Sequence, residues 1–185
     1  CGSGLKTVMN AFIGIRSGEY EAIIAGGTES MSQAPHLLPN RARTGMKMGS
    51  FETLDHMVHD GLTDAFEGYH MGITAENLAE QYAISREEQD TFAYHSQKKT
   101  VEAQDAGAFK EEIVSVKWKK RKQRMVVDTD EYPNREADLE KMGSLRTAFK
   151  KDGTVTAANA SGLNDGASAT LLVGEEYLKL SPVYP

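Results

Sequence analysis

The sequence predicts an α/β fold, and three features support this prediction. Apolar residues recur at helical spacing just after the first residues of the chain. Residues 22–25 then form a continuous apolar run closed by Gly26 and Gly27, which is typical of a strand buried on both faces of a largely parallel sheet. Residues 167–173 form a second apolar run. A helix followed by a buried strand is half of a βαβ unit, so we expect a further strand before Cys1.

The first helix is predicted from apolar residues that share one helical face. They are Leu5, Val8, Met9, Phe12 and Ile13. A cation at Arg16 and glycine at Gly18 indicate where this helix ends. Cys1 therefore stands at or just before a helix N-terminus, and Gly2 and Gly4 lie at the entrance.

Cys1 is the only cysteine in the chain and is the candidate nucleophile. Unpaired N–H groups and the positive end of the helix dipole favour a thiolate at this place. The neighbouring glycines have no Cβ to keep another molecule from the backbone. The alternative is that Cys1 is a small buried apolar residue, which is the common role of a free cysteine. Another alternative is an N-terminal nucleophile whose own α-amine acts as the base, although such proteins open on strands.

Composition narrows the class of protein. The 185 residues carry a formal net charge of −6, which argues against nucleic acid as the main partner. No apolar stretch reaches the roughly 18 residues that a membrane span needs, so we expect no membrane association. One cysteine permits no internal disulfide and suits the cytoplasm. Because the chain opens on its candidate nucleophile rather than on methionine, we expect either missing upstream sequence or processing that exposes Cys1.

Residues 28–69 lack regular periodicity, and we expect this excursion to fold over a ligand. His36, His56 and His59 do not have the spacing of familiar metal sites, so no metal is predicted. A short helix over residues 74–78 is predicted with Thr74 as its cap. Ser85 and Glu88 form a capping box that begins a long helix ending near Gly107.

A β-hairpin is predicted over residues 114–127, where apolar and polar residues alternate. Its tip is basic and holds Lys119, Lys120, Arg121, Lys122 and Arg124. The tip is either a solvated edge or a site for a phosphorylated ligand. Residues 154–157 predict a buried strand, followed by a turn of small residues at 159–166 that would admit a slender ligand.

Four sequence blocks together resemble the thiolase family. They are CGSGLK at residues 1–6, AGGTESMS at 25–32, DGLTDA at 60–65 and GTVTAANASGLNDGA at 153–167. The resemblance extends from Cys1 to about Val173, with the blocks in the family's order. It implies one half of a fold made of two βαβαβαββ halves, each a mixed five-stranded sheet, with a loop domain inserted in the first half. Residues 1–32 and 153–174 would be partial core, residues 33–152 the loop domain covering coenzyme A, and residues 175–185 a tail.

The same resemblance implies roles for individual residues. Cys1 corresponds to the nucleophile that takes the acyl group as a thioester. Ser161 corresponds to the serine that contacts the pantetheine arm. His70 and Met71 correspond to the pair that lines the acyl pocket of the short-chain, biosynthetic type. Arg135 lies one residue away from the position of an arginine that holds the nucleotide end.

The implied function is condensation of two acetyl-CoA molecules to acetoacetyl-CoA and coenzyme A, and the reverse thiolysis, with no cofactor. The family's catalytic histidine and second cysteine lie in the second half, so we predict that this chain alone is inactive and acts with the remainder of the polypeptide. A homo-oligomer, dimer or tetramer, is implied by kinship. Two alternatives stay open, namely a longer-chain 3-ketoacyl-CoA thiolase and a non-catalytic coenzyme A-binding fragment of a split or truncated thiolase.

Overall fold

The chain forms a mixed α/β structure, and a computed structural model describes its residues 2–180, except for the side chain of Leu180. The helices are α1 Ser3–Arg16, α2 Arg41–Thr44, α3 Met71–Gln81, α4 Arg86–Asp105, α5 Leu139–Gly143 and α6 Glu175–Leu180. The strands are β1 Ala22–Ser30, β2 His36–Leu37, β3 Leu54–Asp55, β4 Val116–Lys120, β5 Gln123–Val127 and β6 Asp165–Val173. None of the helices in the described part of the chain is both long enough and apolar enough to cross a membrane.

Contacts divide the chain into two compact units. The first contains residues 1–68 and 163–185, and the second contains residues 69–162. This division assigns residues 33–68 to the first unit and residues 153–162 to the second, so it does not follow the boundaries expected from the resemblance. The assignment of a loop domain to residues 33–152 stays a prediction.

The first unit is built on one pair of long strands. β1 pairs with β6 in antiparallel register, from Ala22 opposite Val173 to Ser30 opposite Asp165. For the described residues, the expectation that β1 lies in a largely parallel sheet with both faces buried is therefore wrong. Its neighbour β6 runs in the opposite direction, and Ile24 is 75% exposed, since no layer of the described residues covers that face.

Helix α1 packs on β1 and confirms the predicted helix and its end. Ala11 and Ala25 are buried at this contact. The backbone of Ser17 donates to Ile13 as the helix closes, and Gly18 adopts the left-handed conformation with φ 76°. The apolar face predicted from the periodicity is only partly covered, because Leu5, Phe12 and Ile13 are each more than half exposed in this chain.

The irregular segment after β1 contains little regular structure. β2 and β3 form a short antiparallel pair. β3 is followed by a π-helix, Met57–Leu62.

The second unit contains α3, α4, α5 and the β4–β5 hairpin. The capping box is present, with the Ser85 hydroxyl accepting from Glu88 N and the Glu88 carboxylate accepting from Ser85 N. The hairpin is also confirmed, with Trp118 opposite Met125, and its strands are exposed along their whole length.

Two local expectations in the second unit are wrong. Thr74 does not cap its helix, because α3 begins at Met71 and His70 occupies the N-cap position. Residues 154–157 form no strand. Their backbone is held by side chains of Glu76 and Asn159, which replace the hydrogen bonds of a sheet.

Candidate functional site

In the first unit, the N-terminus of α1 has backbone donors that no side chain caps. Gly2 is the N-cap residue and makes no side-chain cap, and the first turn holds no acidic residue. A side chain added at Gly2 or Gly4 would meet no atom within 4 Å among the described residues. This open helix end, with its positive dipole, suits a thiolate or a developing oxyanion.

The predicted nucleophile, Cys1, directly precedes this helix end in the sequence but lies outside the described residues. The structure does describe how the first turn of α1 is held. The Thr7 hydroxyl lies 2.7 Å from the Gly4 carbonyl oxygen and 3.0 Å from that of Gly26. A side chain at Gly27 would sit 3.5 Å from the Gly4 Cα atom, so the first turn of α1 rests closely on β1.

The carboxyl end of β1 is joined to the start of β6 by an acidic side chain. Asp165 accepts from the Ser32 backbone N–H at 2.9 Å and from the Ser32 hydroxyl at 2.5 Å. These hydrogen bonds hold the pKa of Asp165 below its ordinary value. The small-residue turn expected at residues 159–166 therefore ends on an ionised, anchored carboxylate.

In the second unit, His70 has a fixed ring orientation. Its Nδ1 accepts from the Gly72 backbone N–H at 3.0 Å and so caps α3. In the neutral ring this leaves the proton on Nε2, which is available as a donor. Met71 follows at the first position of α3 and is 46% exposed, so the two residues assigned to an acyl pocket sit together at one helix end.

Phe149 holds the other side of His70. The two rings stack with centroids 4.6 Å apart and an interplanar angle of 23°. Gly72 allows this packing, because a Cβ there would lie 2.2 Å from a Phe149 ring carbon. Phe149 was not among the predicted site residues, because nothing in the sequence around it distinguishes it from other exposed aromatic residues.

Ser161, the predicted pantetheine contact, is exposed and lies between two anchored residues. On one side, Asn159 Oδ1 accepts from Thr156 N at 2.7 Å. On the other, Gly162 N donates to the Tyr132 hydroxyl at 2.7 Å, and a Cβ on Gly162 would collide with that phenol. The turn thus presents Ser161 outward from a fixed backbone.

The guanidinium of Arg135, which is predicted to contact the nucleotide end of coenzyme A, forms hydrogen bonds to two side chains of α4. It donates to Asp105 Oδ1 at 2.8 Å and to Gln104 Oε1 at 3.2 Å. The Arg135 side chain is about half exposed. A phosphate at this place would share the guanidinium with Asp105.

The first unit also contains a cluster of two histidines and one carboxylate. His56 and His59 both contact the Asp60 carboxylate, at 2.9 and 2.6 Å, on the exposed π-helix of the first unit. Among residues 2–180 no group of three His, Cys, Asp or Glu side chains has the arrangement of a metal site.

Comparison with known proteins gives a family match over nearly the whole chain. Residues 1–176 match the family model described as "Thiolase, N-terminal domain". A "Probable acetyl-CoA acyltransferase" of Staphylococcus aureus strain COL is 55% identical over 186 aligned residues, covering 100% of this chain and 47% of the relative.

Two solved structures match the fold. A Bacillus anthracis acetyl-CoA acetyltransferase superimposes with a TM-score of 0.90 at 41% identity, covering 100% of this chain and 46% of that one. A human mitochondrial 3-ketoacyl-CoA thiolase does so with a TM-score of 0.89 at 42% identity, covering 100% and 47%. The chain spans about half the length of the relatives it matches.

Proposed function

Because the chain belongs to the thiolase family, we propose that the full-length protein condenses two acetyl-CoA molecules to acetoacetyl-CoA and coenzyme A, and catalyses the reverse thiolysis. The observation that supports this most directly is the uncapped N-terminus of α1, with open space at Gly2 and Gly4, immediately after Cys1.

In the proposed first step, the Cys1 thiolate attacks the carbonyl carbon of acetyl-CoA. The carbon–sulfur bond to coenzyme A breaks, and coenzyme A leaves as a thiol after taking up a proton. The acetyl group is then held as a thioester on Cys1. Backbone donors at the start of α1 would stabilise the oxyanion that forms during the attack.

In the second step, a base removes a proton from the methyl carbon of another acetyl-CoA. The resulting enolate attacks the thioester, forming a carbon–carbon bond and releasing Cys1 as thiolate. We propose that this base comes from the remainder of the polypeptide, which would make this chain inactive in isolation. Within the chain, His70 and Met71 would line the acyl pocket and Ser161 would contact the pantetheine arm.

Thiolysis of acetoacetyl-CoA by the full-length protein tests this proposal. We expect turnover by the wild type, at least about a thousandfold less in Cys1→Ala, and none in residues 1–185 alone. Absence of turnover in the folded wild type would refute it and leave the non-catalytic coenzyme A-binding alternative.

The longer-chain alternative is tested with 3-ketoacyl-CoA substrates of increasing length. The chain is about equally similar to an acetyl-CoA acetyltransferase and to a 3-ketoacyl-CoA thiolase. The proposal of a short-chain substrate therefore rests on His70 and Met71. A kcat/KM that rises with chain length would favour the alternative.

A further inference from the structure

Glu76 is a buried carboxylate in the middle of α3 that binds a distant segment of the chain. The residue is only 3% exposed. Its two oxygens accept from the Thr154 N–H at 2.9 and 2.8 Å, from the Thr154 hydroxyl at 2.9 Å and from the Val155 N–H at 2.8 Å. Gly153 permits this approach, because a Cβ there would lie 2.4 Å from Glu76 Oε1.

These hydrogen bonds fix the backbone of residues 154–156, because these residues belong to no sheet. Val155 and Thr156 are nevertheless buried, and Thr156 is 0% exposed. Buried backbone donors must find partners, and the Glu76 carboxylate supplies them for two consecutive residues. Besides the nearby Asn159, the conformation of this segment therefore depends on a side chain 78 residues away in the sequence.

The hydrogen bonds continue from this segment to the turn that holds Ser161. Asn159 accepts from Thr156 N, and its Nδ2 donates to the Thr154 carbonyl at 3.0 Å and to Asp90 Oδ1 at 2.9 Å. Asp90, on α4, is 2% exposed and its other oxygen accepts from Arg86 Nε at 2.6 Å. Carboxylates on two helices thus hold this part of the chain. Glu76 binds the backbone of Thr154 and Val155, and Asp90 binds the side chain of Asn159, two residues before Ser161.

The same helix also holds the proposed acyl pocket. α3 begins with His70 as its cap and Met71 as its first residue, and Glu76 lies less than two turns further on. Phe149, which stacks on His70, precedes Thr154 by only five residues. Next to Phe149, Ala148 N donates to Val155 O at 2.9 Å. Glu76 therefore joins the element that carries His70 to the element that carries Ser161.

We propose that Glu76 is a positioning residue for coenzyme A thioesters, which sets the Ser161 turn relative to the His70 end of α3. This inference rests on the proposed function. It assigns to Glu76 an effect on substrate affinity beyond its effect on folding, although Glu76 itself touches no substrate.

The experiment compares Glu76→Gln with Glu80→Gln in the full-length protein. Glu80 is the matched control, since it lies one turn further along α3 and pairs with Lys150 at 3.1 Å, but with an exposed side chain. Glutamine at 76 keeps the shape of the side chain but replaces one acceptor oxygen with a donor that faces N–H groups. For Glu76→Gln we expect the KM for acetoacetyl-CoA and the Kd for coenzyme A to rise about tenfold, with kcat within about threefold of wild type. Glu80→Gln should match the wild type.

A purely structural role would lower the amount of folded enzyme, and hence the apparent kcat, without changing KM or Kd. That result would overturn the inference, as would a Glu76→Gln variant indistinguishable from wild type. Faster amide exchange confined to residues 153–162 in Glu76→Gln would support it.

If Glu76→Gln does not accumulate as folded protein, the Thr154→Val variant tests the same inference. This variant removes only the hydroxyl bond to Glu76, and Thr154→Ser restores it. We expect KM to rise about threefold in Thr154→Val and to return in Thr154→Ser; an unchanged KM in Thr154→Val would overturn the inference. Failure of the proposed function looks different, because the folded wild type would then not cleave acetoacetyl-CoA, whether or not it binds coenzyme A.

Discussion

Phe149 stacks on the imidazole of His70, with ring centroids 4.6 Å apart. This contact, together with the Gly72 N–H bonded to Nδ1, leaves the ring few alternative orientations. The stacked pair also closes one side of the α3 N-terminus.

Phe149→Ala should therefore destabilise the protein and lower its activity. We expect the free energy of unfolding to fall by about 1–3 kcal/mol, less than for a fully buried ring, because Phe149 is partly exposed. We also expect kcat/KM for acetoacetyl-CoA to fall, because His70 would then be free to turn. Phe92→Ala is the matched control, since Phe92 on α4 is 79% exposed. Urea unfolding and steady-state thiolysis of both variants test this, and equal effects of the two substitutions would contradict it.

Gly72→Ala should displace the same ring. The added methyl group would lie 2.2 Å from Phe149 Cδ2, so the ring must move, at a cost of about 1–3 kcal/mol. At Gly143, the last residue of α5, an added Cβ would meet no described atom within 4 Å. Thermal unfolding should show a lower Tm for Gly72→Ala and little change for Gly143→Ala; a wild-type Tm in Gly72→Ala would show that the packing adjusts freely.

Glu76 should make stability depend on pH in the acid range. Burial opposes its ionisation, but hydrogen bonds from Val155 and Thr154 outweigh burial, so its pKa lies below the ordinary value of 4.5. A carboxyl with a lowered folded-state pKa stabilises the fold above its unfolded-state pKa, and this contribution is lost as pH falls from about 4.5 through the lower folded value.

Urea unfolding of wild type and Glu76→Gln at about pH 6 and about pH 3.5 measures this contribution. The wild type should lose more unfolding free energy between the two values than the variant. Part of the loss will remain in both proteins, because the pKa values of Asp60, Asp64 and Asp165 are also lowered by hydrogen bonds. Equal losses would show that Glu76 does not act in this way.

Ser161→Ala should weaken binding without destabilising the fold. Ser161 is exposed, while its neighbours are held by Asn159 and Tyr132. We expect KM for acetoacetyl-CoA to rise about three- to tenfold, which corresponds to one lost hydrogen bond, with an unchanged Tm. Ser17→Ala, at the far end of α1, is the control. An unchanged KM in Ser161→Ala would remove Ser161 from the substrate contacts.

Local signals in the sequence predicted part of this structure. The capping box of Ser85 and Glu88 and the spacing of apolar residues in α1 are complete within one or two helical turns. For that reason both helices, and the glycine that follows each one, were predicted from their own residues.

Features set by distant residues were not predictable in this way. His70 rather than Thr74 caps α3, because Phe149 and Gly72 fix the ring where its Nδ1 meets the helix. Residues 154–157 have the apolar pattern of a strand, but Glu76 binds their backbone. The sequence held one weak signal for the role of Glu76, because Glu76 shares a helical face with the small residues Gly72 and Ala79. In the structure all three residues are buried.

In the proposed reaction Cys1 carries the acetyl group, and mass spectrometry of the full-length protein can detect that group. The protein is mixed with acetyl-CoA, quenched in acid and digested, and Cys1→Ala serves as the control. We expect one acetyl group on the peptide that contains Cys1, removed when coenzyme A is added before the quench, and none in Cys1→Ala. A wild type that turns over acetoacetyl-CoA yet is never acetylated on Cys1, or a Cys1→Ala variant that keeps full activity, would refute the nucleophilic role of Cys1.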